Sequence, residues 1–175
     1  MTYDPALDAE RADLLEALGT HRHFLRHTVR NLTDEQARQR TTASELTLGG
    51  LIKHVANIEK GWADFVVDGP SALGDFSAMT EADFARRVDE FKLLPGETLA
   101  GVLEDYAKVA QRTDELVASL PDLNLSHPLP KAPWFPPDAR RSARRVFLHI
   151  VAETAQHAGH ADIIRETIDG QKSMG

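Results

Sequence analysis

From Leu99 to Leu120, Leu99, Val102, Leu103, Tyr106, Val109, Ala110, Thr113, Leu116, Val117 and Leu120 follow one another in steps of one and three. That spacing lays them along one face of an α-helix. A helix with such a face must bury it against other elements, and here the other elements are helical too. Asp4-Pro5 reads as an N-cap with proline at the first helical position. Leu7, Leu14, Leu15, Leu18, Leu25, Val29 and Leu32 continue from it, predicting a helix to about Asn31-Leu32. Thr33-Asp34-Glu35-Gln36 carries a capping signature for a further short turn of helix. Thr47 caps a second long helix from Leu48 to about Val67, with Leu51, His54, Val55, Ile58, Trp62 and Phe65 as its inner face. Asp68-Gly69-Pro70 stops it. The last long helix runs from about Arg141 to Ile168 and ends at Asp169-Gly170, a glycine C-cap. No period-two run, internal repeat or glycine-rich phosphate loop is present. The expected fold is all-α, a four-helix bundle occupying residues 1–175 as a single domain.

Two connections are long for such a bundle. Residues 68–96 contain only a short predicted helix at Glu81–Val88, capped by Thr80. Pro121 to Pro137 holds six of the nine prolines, so it forms neither helix nor central strand. Its tip, Trp134-Phe135, is either a lid or wall over a site or a plug for the bundle end; the sequence leaves both open. There is no cysteine, hence no thiolate of the protein's own. The formal charge of −7 disfavours a nucleic-acid partner. The basic run Arg140-Arg141-Ser142-Ala143-Arg144-Arg145 reads first as a solvated helix start and second as a holder for an anionic or polar ligand. No stretch reaches the roughly 18 apolar residues of a membrane span. Met1-Thr2-Tyr3-Asp4-Pro5 lacks the basic and apolar regions of a signal peptide. The expectation is a cytoplasmic protein, monomer or homodimer, with no membrane or nucleic-acid partner.

Polar residues interrupt the last helix in a regular way. On helical geometry, with His149 at zero, Glu153 falls at about 40°, His157 at about 80° and His160 at about 20°. Val146, Ile164 and Ile168 extend the same stripe, which predicts a polar cluster on a core-facing line. Buried polar groups need partners, either a divalent metal or a hydrogen-bonded histidine network. His54, mid-face on the second helix, joins Glu153 and His157 as a candidate ligand set. Three ligands of His₂Glu type leave a position open, the pattern of a catalytic site. Nitrogen and oxygen donors without sulfur suit zinc, nickel or iron(II). His149 is the runner-up ligand. His160 either completes the shell, takes a proton or orients a ligand. His23 and His27 imitate a metal pair but lie about 140° and 180° from Leu18, on the outer face. Spacing alone leaves the metal and network readings open.

Two segments carry a resemblance. Leu46-Thr47-Leu48-Gly49-Gly50-Leu51-Ile52-Lys53-His54-Val55-Ala56-Asn57-Ile58-Glu59-Lys60-Gly61-Trp62 and Glu153-Thr154-Ala155-Gln156-His157-Ala158-Gly159-His160-Ala161-Asp162-Ile163-Ile164-Arg165-Glu166 resemble the DinB/YfiT-like metalloproteins. The likeness is to the actinobacterial branch of mycothiol S-transferases, related to mycothiol-dependent maleylpyruvate isomerase, and covers nearly the whole chain. It implies a bundle with long connections in up-down-down-up order. Many members use three histidines; the isomerase-like members place a glutamate where Glu153 stands. The resemblance thus implies that His54, Glu153 and His157 bind a divalent metal, zinc first, with nickel or iron as alternatives; His160, on the same stripe, is the candidate to take the displaced proton or steady a metal-bound water. The implied activity is metal-dependent transfer of a low-molecular-weight thiol, mycothiol, to a small electrophile, a detoxification reaction. The alternative it leaves is a non-catalytic metal- or ligand-binding stress-response protein.

Overall fold

The computed structural model describes residues 8–74 and 76–173. Four long helices pack together: α1 (Ala9–His27), α3 (Leu48–Asp68), α5 (Leu99–Ser119) and α6 (Ala143–Asp169). Two short helices, α2 (Asp34–Arg38) and α4 (Glu81–Asp89), lie in the connections. Each start has a polar cap. Thr47 accepts from the Gly50 amide for α3, Thr98 from Gly101 for α5, and Ser142 from Arg145 for α6. Thr33 and Thr80 form capping boxes with Gln36 and Asp83. Each satisfied cap contributes about 1 kcal/mol to its helix. Gly170, at φ 76°, closes α6 in the left-handed conformation that glycine adopts without steric cost.

The core lies in two apolar clusters. One joins Leu25 of α1, Leu48, Leu51 and Ile52 of α3, Leu99 of α5 and Ile164 of α6. The other joins Leu14 and Leu18, Trp62 and Phe65, Val117, and Val146 and Phe147. The start of α1 therefore meets the ends of α3 and α5 and the start of α6, an up-down-down-up arrangement. Hydrogen bonds at both ends agree. Arg11 donates to the Leu120 carbonyl at 2.6 Å, and Arg165 to the Thr28 carbonyl at 2.8 Å. Between the clusters lies a polar layer. Arg22 pairs with the fully buried Glu59 (Nη2–Oε1 2.5 Å, Nε–Oε2 3.2 Å) and with Asp114 at 2.7 Å.

Several expectations need correction. The chain is predominantly helical but not strictly four helices, and the described residues include a two-stranded antiparallel sheet. Strands β1 (Ser126–Pro128) and β2 (Arg140–Ser142) pair with His127 opposite Arg141. Three-residue strands are too short to display a period of two. The last helix begins at Ala143 and not at Arg141, because Arg140–Ser142 is extended and Ser142 is the cap. The first helix ends at His27; Asn31, at φ 62°, turns the chain beyond it. The Asp4-Pro5 cap lies outside the described residues, and Asp8 caps the observed helix, accepting from Arg11. No described helix is long and apolar enough to cross a membrane.

Candidate metal centre and adjoining cleft

α3 brings His54 and α6 brings Glu153 and His157 to one place. Each offers a ligand atom, and the three atoms lie within 4.8 Å of one another. Four residues separate Glu153 from His157, one turn of α6, so both point the same way. The stripe predicted to face the core sits instead at its border. His149, Glu153, His157 and His160 are half-buried, whereas Ile150, Thr154, Ala158 and Ala161 form the buried line. On helical geometry that line is centred about 100° from the histidine stripe. The site is thus open on one side and backed by core on the other.

His54 is buried, 8 % exposed, and its Nδ1 has no hydrogen-bond partner among the described residues. Phe91 stacks on its ring at 3.9 Å. That contact depends on Gly50: a Cβ there would lie 1.8 Å from the Phe91 carbonyl oxygen, so only glycine lets this strand of chain press onto α3. Burial, with the charges of His157 and Arg87, pushes the His54 pKa down to about 4. Burial, with Arg141 and Arg145, pushes His149 down to about 4 as well, and burial together with His160 lowers His157. All three imidazoles are neutral at pH 7 and have a lone pair free for a metal.

The distances bear on the two sequence readings. Glu153 stands 3.5 Å from His149 Nε2 and 3.7 Å from His157 Nε2. Hydrogen bonds need about 2.7–3.2 Å, so the network is not closed. Around a tetrahedral zinc with bonds near 2.0–2.1 Å, donor atoms stand roughly 3.3 Å apart. The residues fit a dication: two neutral imidazoles, one carboxylate, and a buried nitrogen awaiting a partner. His149 touches Glu153 but lies outside the three-atom cluster, its ring edge-on to Trp62 at 4.9 Å. His160 is also outside it, with Nδ1 3.4 Å from His157 Nδ1. His23 is exposed and His27 half-buried; both border a separate groove of about 770 Å³ between α1 and α5 that holds none of the cluster.

A cleft of about 660 Å³ opens from Glu153 and His149. The aromatic tip is one wall of it: Trp134 and Phe135 line it, opposite Trp62. The β1–β2 pair carries Arg141 to 4.6 Å above the Trp62 ring and 5.5 Å from Phe135.

The profile of the mycothiol-S-transferase family matches residues 13–170. The chain belongs to this family. No curated protein matches it. As a mycothiol-S-transferase family member with a His/Glu/His cluster, it has the parts of a metal-dependent transferase site. Sequence reasoning missed Phe91, Gly50 and the buried pair Arg22–Glu59. Arg22 falls about 40° from Leu18 on helical geometry, and Glu59 about 40° from Val55. A charge on an apolar stripe was the available signal.

Proposed function

We propose that the chain is a metal-dependent S-transferase that joins mycothiol to a small electrophile in the cytoplasm, acting as one domain in detoxification. His54, Glu153 and His157 are the proposed ligands, and zinc the proposed metal, since the donors are nitrogen and oxygen alone. The observation that carries the reading is the convergence of three donor atoms within 4.8 Å, one residue having a buried nitrogen without a partner, at the mouth of a cleft. When bound there, a dication would supply the ionisation of an arriving thiol at neutral pH, where a free thiol of pKa near 8.5 is only a few per cent thiolate.

The chain's own residues do the rest. The protein has no cysteine and so supplies no thiolate of its own; in this reading the sulfur of the arriving thiol attacks the electrophile directly. The thiol gives up its proton to solvent, the sulfur–carbon bond forms, and the electrophile either releases its leaving group or takes a proton from solvent across its double bond. Trp62, Trp134 and Phe135 exclude water and hold the electrophile beside the sulfur, which supplies proximity. His160 meets His157 on the side away from Glu153, and this contact supports a positioning role: it fixes the His157 tautomer and ring.

The test is conjugation of mycothiol to monochlorobimane, followed by fluorescence, with metal-loaded and chelated protein. The expected result is a rate that needs both metal and thiol, with mycothiol preferred over glutathione. Equal rates for loaded and chelated protein, no faster than the uncatalysed reaction across several thiols and electrophiles, would replace this reading with the non-catalytic binding protein.

A further inference from the structure

The cleft beside the proposed metal centre has a charge that the overall composition does not explain. The chain is acidic, at −7, yet Arg87, Arg140, Arg141 and Arg145 line the cleft and Glu153 is the sole carboxylate among the described lining residues. Arg140 is engaged with Ser126, donating to its carbonyl at 2.6 Å. Arg141 and Arg145 form no ion pair among the described residues; the pairs near the start of α6 belong to Arg144, His149 and His157.

Arg141 is the distinctive one. Its guanidinium is held between two rings, Trp62 and Phe135, and its Nη1 is buried without a hydrogen-bond partner among the described residues. A buried donor left unmade is costly, more so when charged. The charge of Arg145 adds repulsion: burial first, then Arg145, lowers the Arg141 pKa against the pull of Glu153. A sugar thiol offers hydroxyls and cannot neutralise two cations. A carboxylate matches the guanidinium fork with two parallel hydrogen bonds, and a flat body joined to it would lie along Trp62 and Phe135. The volume, about 660 Å³, suits one small molecule.

We propose that this cleft selects electrophiles bearing a carboxylate on a flat conjugated body, with Arg141 as the specificity-determining residue and Arg145 as its supporting charge. The term electrophile rests on the transferase reading; the carboxylate site does not. Both tryptophans of the chain, Trp62 and Trp134, line the cleft, so intrinsic emission reports on it.

The experiment titrates thiol-free, metal-loaded protein with trans-cinnamate and with the isosteric, uncharged trans-cinnamamide, reading tryptophan emission and heat. Cinnamate is expected to bind at least about tenfold tighter, less so as salt is raised. Arg141→Gln should bring the two affinities together, and Arg141→Lys should fall between, since it keeps the charge and loses the fork. If Arg141→Gln disturbs the strand pair by circular dichroism, Arg145→Gln serves in its place and should narrow the same ratio. Equal binding of acid and amide by the wild type, or an unchanged ratio in folded variants, overturns the inference. Either result leaves the conjugation of uncharged monochlorobimane, which tests the transferase reading, to be judged separately.

Discussion

Arg22→Met should be among the most damaging single changes away from the candidate metal site. Glu59 is fully buried and its two oxygens are held by Arg22 Nη2 and Nε. Burial alone would lower the Arg22 pKa, but the Glu59 charge and hydrogen bonds outweigh it and raise it. Removing the guanidinium leaves a carboxylate in the core with no counter-charge, a loss of about 3–5 kcal/mol. The second partner, Asp114, is 38 % exposed and adds at most about 1 kcal/mol. Against a total stability of about 5–15 kcal/mol, that is a fifth or more of the fold. Urea unfolding followed by far-ultraviolet circular dichroism measures it, with chelator present so that bound metal does not contribute. With a slope of about 2 kcal/mol per molar urea, the midpoint should fall by about 1.5–2.5 M with the slope unchanged. The double variant Arg22→Met/Glu59→Leu removes both charges and keeps the volume, and should regain most of the loss. A single-variant drop under about 0.5 M, or a double variant as weak as the single, would refute the reasoning.

Three further outcomes are expected. Glu153→Ala should cut metal affinity more than about 100-fold by mass-spectrometric metal analysis, while His23→Ala and His27→Ala leave it unchanged; metal that follows the His23/His27 pair would move the site to the α1–α5 groove. Gly50→Ala should cost about 1–3 kcal/mol or more and weaken metal binding through the displaced Phe91–His54 stack; an unaltered melting temperature would show that the segment yields freely. Thr47→Ala should lose about 1 kcal/mol by removing the α3 cap, read as a small shift of the urea midpoint, and no shift would show that the cap is solvent-replaced.

What could be read from the sequence was whatever a single helix reveals about itself. The caps at Thr33, Thr47 and Thr80, the glycine stop at Gly170 and the stripe of α5 are local, and the structure reproduces them. The one-turn spacing of Glu153 and His157 is equally local. His54 was legible because a histidine at the centre of an apolar face needs a partner. Features made by two distant segments were hidden. The Phe91 ring on His54 depends on how residues 89–93 cross α3, and no periodicity encodes that crossing. The rotation of α6 was misjudged for a related reason. Val146 and Ile164 lie at the shared edge of the histidine stripe and the buried line, and Thr154 and Arg165, which read as polar, are in fact buried. The core polar residues thus masked the true inner face.

The separation between His54 and the Glu153–His157 turn has a consequence for how the protein comes apart. The chain has no cysteine and so no covalent tie between its halves. An ion gripped by α3 and α6 would close a loop of about a hundred residues, and in the chain-entropy treatment used for disulfides a cross-link of that span restricts the unfolded ensemble by about 4.7 kcal/mol. The unfolding temperature would then track the free metal concentration. A cell that starves this protein of its ion would lose a fastener as well as a reaction centre, and the apoprotein would be the form that proteases find first.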